Sequence, residues 1–375
     1  MLMAMVLSSA LLCGCGGAAS GGGGGGSTTQ TQTAAPTIST FTNTALQNGA
    51  LMVSLGYTTP GSVIYYTVDG TTPTTASQQS IAPFLLASSM TIKAIAIAPG
   101  NTPSTVASQT FAPNIPSGTL VWSEEFSNTT GANAQPNPAF WTYDTGTNCC
   151  GNNELETYCS WGSTTGPCNP ASPNAYVGTD GYLHIVAQQP TANVAIYTSA
   201  RLKSQGLFSF QYGRIEARLM LPESQGMWPA FWMLGNNITT VNWPACGELD
   251  LMEHIDANNP PINGNGPGYD WVQSSIHGTN LNGGTPYTTQ GFSAAAWHTY
   301  GMIWTKGQIQ FYVDSPSNIY ETFTPATQPG TWPFDSGPEF VLLNLAVGGD
   351  WPGSPNGTTV FPSPMLVDYV RVYTN

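Results

Sequence analysis

Residues 247–254 read Gly-Glu-Leu-Asp-Leu-Met-Glu-His, which sets Glu248, Asp250 and Glu253 among Leu249, Leu251 and Met252. Three of the chain's 20 acidic residues thus fall within six positions of an apolar run, an electrostatically costly arrangement. Side chains on a regular strand alternate between faces, so Glu248 and Asp250 share one face and Glu253 falls on the other. A β-bulge across Leu251 and Met252 adds one residue, returns Glu253 to the acidic face and leaves apolar side chains for a core. The stretch predicts a bulged strand, carboxyl-lined outside and packed inside. A calcium site or an exposed acidic strand is the alternative, and the apolar partners argue against simple exposure.

Outward from this strand, residues 182–187, 213–220, 308–313, 339–347 and 365–373 read as further strands, with no long run of helical period. Short strands across residues 115–375 predict a large β-sandwich or jelly roll whose curved outer sheet face can hold an extended polymer. Residues 36–113 form a separate small all-β module, with strands at 51–55, 63–68 and 90–98 between Thr, Pro and Gly turns. It contains no acid pair or metal cluster, so a spacer role is expected, with Tyr65 or Tyr66 as its candidates for carbohydrate contact. Residues 16–35, Gly-rich and then Ser-, Thr- and Gln-rich, read as a flexible linker.

The apolar run at residues 1–14 is too short to span a bilayer and reads as an export signal, although no Lys or Arg precedes it. Leu11, Leu12, Cys13, Gly14 and Cys15 resemble a bacterial lipobox, which implies a lipidated Cys15 and a cell-surface or outer-membrane location. Secretion after simple cleavage is the alternative. Of the remaining cysteines, Cys149, Cys150, Cys159 and Cys168 cluster, and Cys246 stands apart. In an oxidising compartment the four can form two bridges in any of three connectivities, leaving Cys246 as a free thiol. Their spacing lacks the paired CxxC pattern of zinc sites.

Only 7% of residues are charged and the formal net charge is -13, with seven Lys and Arg in all. No basic stripe for a nucleic-acid backbone can be built from these. Eleven Trp and 16 Tyr supply flat apolar faces of the kind that stack on neutral ligands such as sugars. Two carboxyls flanking a glycosidic bond can perform displacement and proton transfer, and carboxyls about 5–5.5 Å apart imply a covalent intermediate with retention of configuration.

The sequence GELDLMEHID, preceded by GMWPAFWMLG at residues 226–235, resembles the active-site region of glycoside hydrolase family 16, laminarinase-type. VWSEEF (121–126), GNNELETY (151–158), YTSARLKSQGLFSFQYGRIEAR (197–218), LLNLAVGGDWPG (342–353) and VDYVRVY (367–373) extend the resemblance across the domain. The resemblance implies an all-β, concanavalin A-like jelly roll that cleaves β-glucan as a monomer, without a catalytic cofactor. Glu248 becomes the nucleophile, Asp250 its assistant and Glu253 the acid/base. Trp228, Trp232 and Trp351 become sugar platforms, and Asn153, Arg214 and His277 polar contacts to sugar, although Arg214 can instead pair with Glu216. A structural Ca²⁺ is implied at Asp368, with carbonyls of Glu125 and Gly181. The insertion at 149–168 and His254, where Asn is usual, depart from the pattern. Mixed-linkage glucan or agarose as substrate, and a non-catalytic glucan-binding protein, are the competing readings; the presence of all three acids speaks against the last. In the N-terminal module, IYYTVDGTTPT (64–74) and TIKAIAIAPG (91–100) resemble the immunoglobulin-like chitobiase/β-hexosaminidase C-terminal module.

Overall fold

The computed structural model describes residues 30–147, 150–191, 194–256 and 270–375. The leader, most of the linker and Cys149 lie outside these. The fold is all-β, and the one helix among the described residues is the four-residue turn Ile238–Val241.

The larger domain is two antiparallel sheets packed face to face. One sheet runs in the order Leu281–Tyr287, Val272–Gly278, Glu248–Glu253, Met227–Gly235, Glu339–Val347, Arg201–Lys203, Thr142–Asp144. The other is built around the long Ser363–Tyr373 strand, flanked by Leu183–Ala187 and Gly213–Met220 and continued by His298–Thr305 and Gln308–Val313. Alternation does the sorting: Phe231, Met233 and Leu249 of the first sheet and Ile215, Ala217 and Leu219 of the second are fully buried in one apolar core. The opposite face of the first sheet carries the acids.

Residues 37–111 form two small sheets, of three and four strands, around their own core of Val53, Ile64, Tyr66, Phe84 and Ile92. Tyr66 is only 2% exposed and stacked on Phe84, so it packs this core and has no free face for a sugar. The spacer expectation changes in another respect. Ala45, Ala50, Met52 and Leu85 of the module are buried in the larger domain's core cluster. Leu46 pairs with Trp122, Leu85 N–H donates to Ser209 O (2.8 Å), and Gln47 Nε2 donates to Ser123 Oγ (2.7 Å). Two modules defined by sequence therefore share one apolar interior, because neither alone covers Trp122, which stacks on Phe208.

Cys159 and Cys168 are bridged, Cys150 is also disulfide-bonded, and Cys246 is a buried free thiol. A protein beginning at residue 30 should therefore show one titratable thiol in denaturant and none in native buffer; a thiol reacting in native buffer contradicts the burial of Cys246. Removing the module uncovers the contacts of Met52 and Leu85, each worth about 1.5–3 kcal/mol of burial. A protein beginning at Ile115 should lose roughly 10 °C in Tm, while its turnover per folded molecule is kept because every acid of the cleft lies beyond that point. An unchanged melt would show that the shared core contributes nothing.

Candidate active site

The bulge falls where the charge pattern requires it. Along the neighbouring Met227–Gly235 strand, Phe231 faces Met252 and Trp232 faces Asp250, so Leu251 has no partner. On the other side Asp250 faces Ser275 while Glu253 faces Gln273, three steps matched against two. Leu249, Leu251 and Met252 go into the core, and Glu248, Asp250 and Glu253 line the outer face. Gly247 enters the strand at φ +87°, a left-handed conformation that glycine adopts without strain. A Cβ there would also meet Pro333 at 3.0 Å and the Glu339 carboxyl at 3.3 Å.

Cross-strand registration assembles the rest of the cleft floor. His277 faces Glu248, and its Nε2 lies 3.1 Å from Asp250 Oδ2 and 3.8 Å from Glu248 Oε1. Trp228 donates its indole N–H to Glu253 Oε1 at 3.0 Å. Trp351 meets Trp228 edge-on at 5.4 Å and lies 5.7 Å from Trp271, which makes an aromatic wall at the Glu253 end of the row. Asn153 sits on the adjoining rim, where its amide donates to Asp350 at 2.9 and 3.1 Å. Trp232 lies in the same sheet, but it is only 8% exposed; its N–H is taken by Asn344 (2.7 Å) and Arg201 covers its ring at 4.5 Å. Trp232 is thus cleft floor more than stacking platform.

Burial dominates the electrostatics. It pushes the Glu253 carboxyl up to about 8, with the Asp250 charge adding and the Trp228 and Ser275 hydrogen bonds opposing. Glu248 is raised well above the ordinary range by burial and by Asp250, against the pull of His277 and Arg201. Asp250 is raised by burial alone. Close carboxyls in a poorly solvated row share protons and titrate as a unit. The arrangement suits a protonated Glu253 beside a carboxyl held near two basic side chains.

One expectation needs correction. Arg214 lies on the far side of the sandwich, in the Gly213–Met220 strand of the other sheet. It is ion-paired with Glu216, donates to Tyr312 Oη (3.1 Å) and covers the Tyr373 ring at 3.7 Å, so it cannot reach a ligand in the cleft. Around the expected calcium position, Arg218 donates to Asp368 Oδ2 at 2.7 Å and Arg371 takes both oxygens of the Glu125 carboxylate at 2.9 and 2.7 Å, while the ligands expected of Glu125 and Gly181 are their backbone carbonyls. The Arg218 pair occupies one oxygen of Asp368, the carboxylate that the expected calcium site would use.

The structure also adds residues that the motifs did not single out. Arg201 reaches the floor from a three-residue strand, Ser275 bonds Glu253, and Glu339 is a fully buried carboxyl behind Gly247. Trp243, 58% exposed, lies 6.4 Å from His277 and offers a free aromatic face on the nucleophile side. Only its exposure in the fold distinguishes it from the many core tryptophans.

Residues 171–370 match the family model for glycosyl hydrolases family 16, and residues 53–111 match the model described as Fn3 associated. A beta-glucanase of Rhodothermus marinus is 35% identical over 267 residues, spanning 69% of this chain and 86% of that one. A keratan-sulfate endo-1,4-beta-galactosidase of Sphingobacterium multivorum is 34% identical over 266 residues, 68% of this chain and 54% of that one. The crystal structure of the Rhodothermus marinus laminarinase superposes with a TM-score of 0.57 at 34% identity, covering 70% of this chain and 99% of that one. With its acids on one bulged strand and these matches over the same residues, the chain belongs to glycosyl hydrolases family 16.

Proposed function

We infer that the protein is an endo-acting β-1,3-glucanase that works by double displacement with retention. The observation that carries this reading is the Leu251 bulge, which brings Glu248, Asp250 and Glu253 onto one outer face of the sheet. The likeness to a beta-glucanase and a laminarinase supports β-1,3-glucan as the polymer. The galactosidase relative is why linkage is tested and not assumed.

In the first step Glu248 attacks the anomeric carbon while Glu253 gives its proton to the departing glycosidic oxygen, and a glycosyl ester on Glu248 forms. In the second, Glu253, now a carboxylate, takes a proton from water; the hydroxide oxygen bonds to the anomeric carbon and Glu248 leaves. Asp250, between the two and 3.1 Å from His277, holds the shared protons in place. Trp228 orients the acid through its N–H and presents an indole to the sugar. Export with lipid attachment at Cys15 belongs to the same proposal, and the mass of the mature N-terminus tests it.

Glu248→Ala should abolish turnover. Glu253→Ala should lose most on substrates with poor leaving groups and regain activity with azide on an activated substrate, as a β-glycosyl azide. The first product seen by NMR should be the β-anomer; an α-anomer, or full activity in Glu248→Ala, overturns the roles. Product analysis on laminarin, curdlan, lichenan and agarose decides the linkage.

The acid form of Glu253 disappears as pH rises through about 8, so kcat/KM should fall on the alkaline side near that pH. Trp228→Phe removes a bond that favours the carboxylate, so it should move that limb upward while raising KM. A limb that stays in place or moves down contradicts the assignment.

A carboxyl raised in the folded state stabilises the fold below its unfolded value and loses that contribution as pH rises through the folded one. Glu253→Gln should therefore melt about 5 °C higher than the parent at pH 8 and little differently at pH 4. An equal shift at both pH values would place the effect outside titration.

A further inference from the structure

The residue that follows the acid/base is wholly buried and tied to two neighbouring segments. His254 donates its backbone N–H to Pro229 O at 3.3 Å, beside Trp228. Its ring Nδ1 lies 2.7 Å from Trp271 O. A carbonyl only accepts, so Nδ1 carries the proton and donates it to this bond. Among the described residues Nε2 has no partner, so the ring is an anchor and not a link in a proton relay. Asp270 holds the other end of the same residue: its Oδ1 accepts from the Trp271 N–H at 2.8 Å and stands 3.8 Å from His254 Nδ1.

Trp271 is also fully buried, with its ring 6.3 Å from His254 and 5.7 Å from Trp351. Trp351 is half-buried and lies in a turn beyond the Glu339–Val347 strand, where no ladder sets the direction of a side chain. Its ring is set between those of Trp271 and Trp228, and Trp228 donates to Glu253. These contacts close a circuit that leaves Glu253 through Trp228, Trp351 and Trp271 and returns through His254, the next residue in the chain. We propose that His254 is a positioning residue for the proton donor. By holding the Trp271 carbonyl it seats Trp271 against Trp351, which in turn fixes the Trp228 indole that aims Glu253. This rests on Glu253 as the acid of the function proposed above. Displacing a reacting group by about 1 Å can cost up to about 10²-fold in rate, so a loosened wall shows in turnover before it shows in the fold.

Two aryl β-laminaribiosides with the same sugar test this, one with a 2,4-dinitrophenyl leaving group that needs no proton and one with a phenyl group that does. His254→Leu removes the ring donor. It should lower kcat/KM about tenfold on the phenyl glycoside and under about twofold on the dinitrophenyl glycoside. His254→Asn keeps an amide N–H near the place of Nδ1 and should recover most of the loss. A merely structural role lowers both substrates alike. Equal losses on the two, no loss in folded His254→Leu protein, or an Asn variant no better than Leu overturns the proposal. If His254→Leu does not fold, Trp271→Phe takes its place, since it keeps the carbonyl bond and shrinks only the ring against Trp351. It should show the same selectivity at about threefold, and its absence in folded protein overturns the proposal. Glu253→Ala, measured alongside, separates the two readings. Leaving-group dependence there with none in His254→Leu removes the positioning role alone; none in either removes the acid role with it.

Discussion

Glu248, Asp250, Glu253 and Glu339 share a poorly solvated region in which His277 and Arg201 are the opposing basic groups that act on Glu248. Burial raises all four carboxyls, and the Asp250 charge raises Glu248, Glu253 and Glu339 further. Such a cluster opposes folding at neutral pH, so the scaffold beneath it has to supply the difference. It does so with fully apolar inner faces on both sheets, where Phe231, Leu249, Leu343 and Val370 are wholly buried. The rigidity of that core is also what keeps three acids on one face in register.

The bulge converts this constraint into chemistry. With a strict period of two, Glu253 would point into the core, where a carboxyl has no partner, and Met252 would point into the cleft. One inserted residue exchanges those fates for the length of a single step. The indole of Trp228 then reaches Glu253 only because Pro229 and Ala230 run in phase with the segment beyond the bulge, Ala230 facing Glu253 directly. The acid and its donor belong to adjacent strands and are placed by the same irregularity.

That irregularity was legible in the sequence because it is local: charge spacing against apolar spacing over six residues. The strands at 213–220, 308–313 and 339–347 were legible for the same reason, and the structure has them at those bounds. Arg214 was misplaced because a sequence match locates a strand, not the face or the sheet that it joins; alternation puts Arg214 opposite buried Ile215 on the far sheet. Trp232 was hard to assign because a cleft floor and a core are both apolar; what separates them is its saturated N–H and the guanidinium over its ring. Arg201 lies within the 197–218 stretch that carries the resemblance, but its place at the site, like those of Ser275 and Glu339, is set by long-range pairing.

The boundary between modules was drawn where composition changes, near residues 113–116, and composition says nothing about contact. Trp122 lies in the middle of the catalytic domain's own first strand, Leu120–Glu124, and yet pairs with Leu46 of the module, while Ser209, beyond the strand that supplies Arg201, bonds the module backbone at both Pro83 and Leu85. These links enter the catalytic sheet through the Phe210 to Glu339 bridge, and Glu339 stands directly behind Gly247, one residue from the nucleophile. The contact chain from module to Glu248 is therefore short and passes only through backbone bonds and buried side chains. A module attached in this way adds to the stability of the domain that carries the acids without supplying any of them.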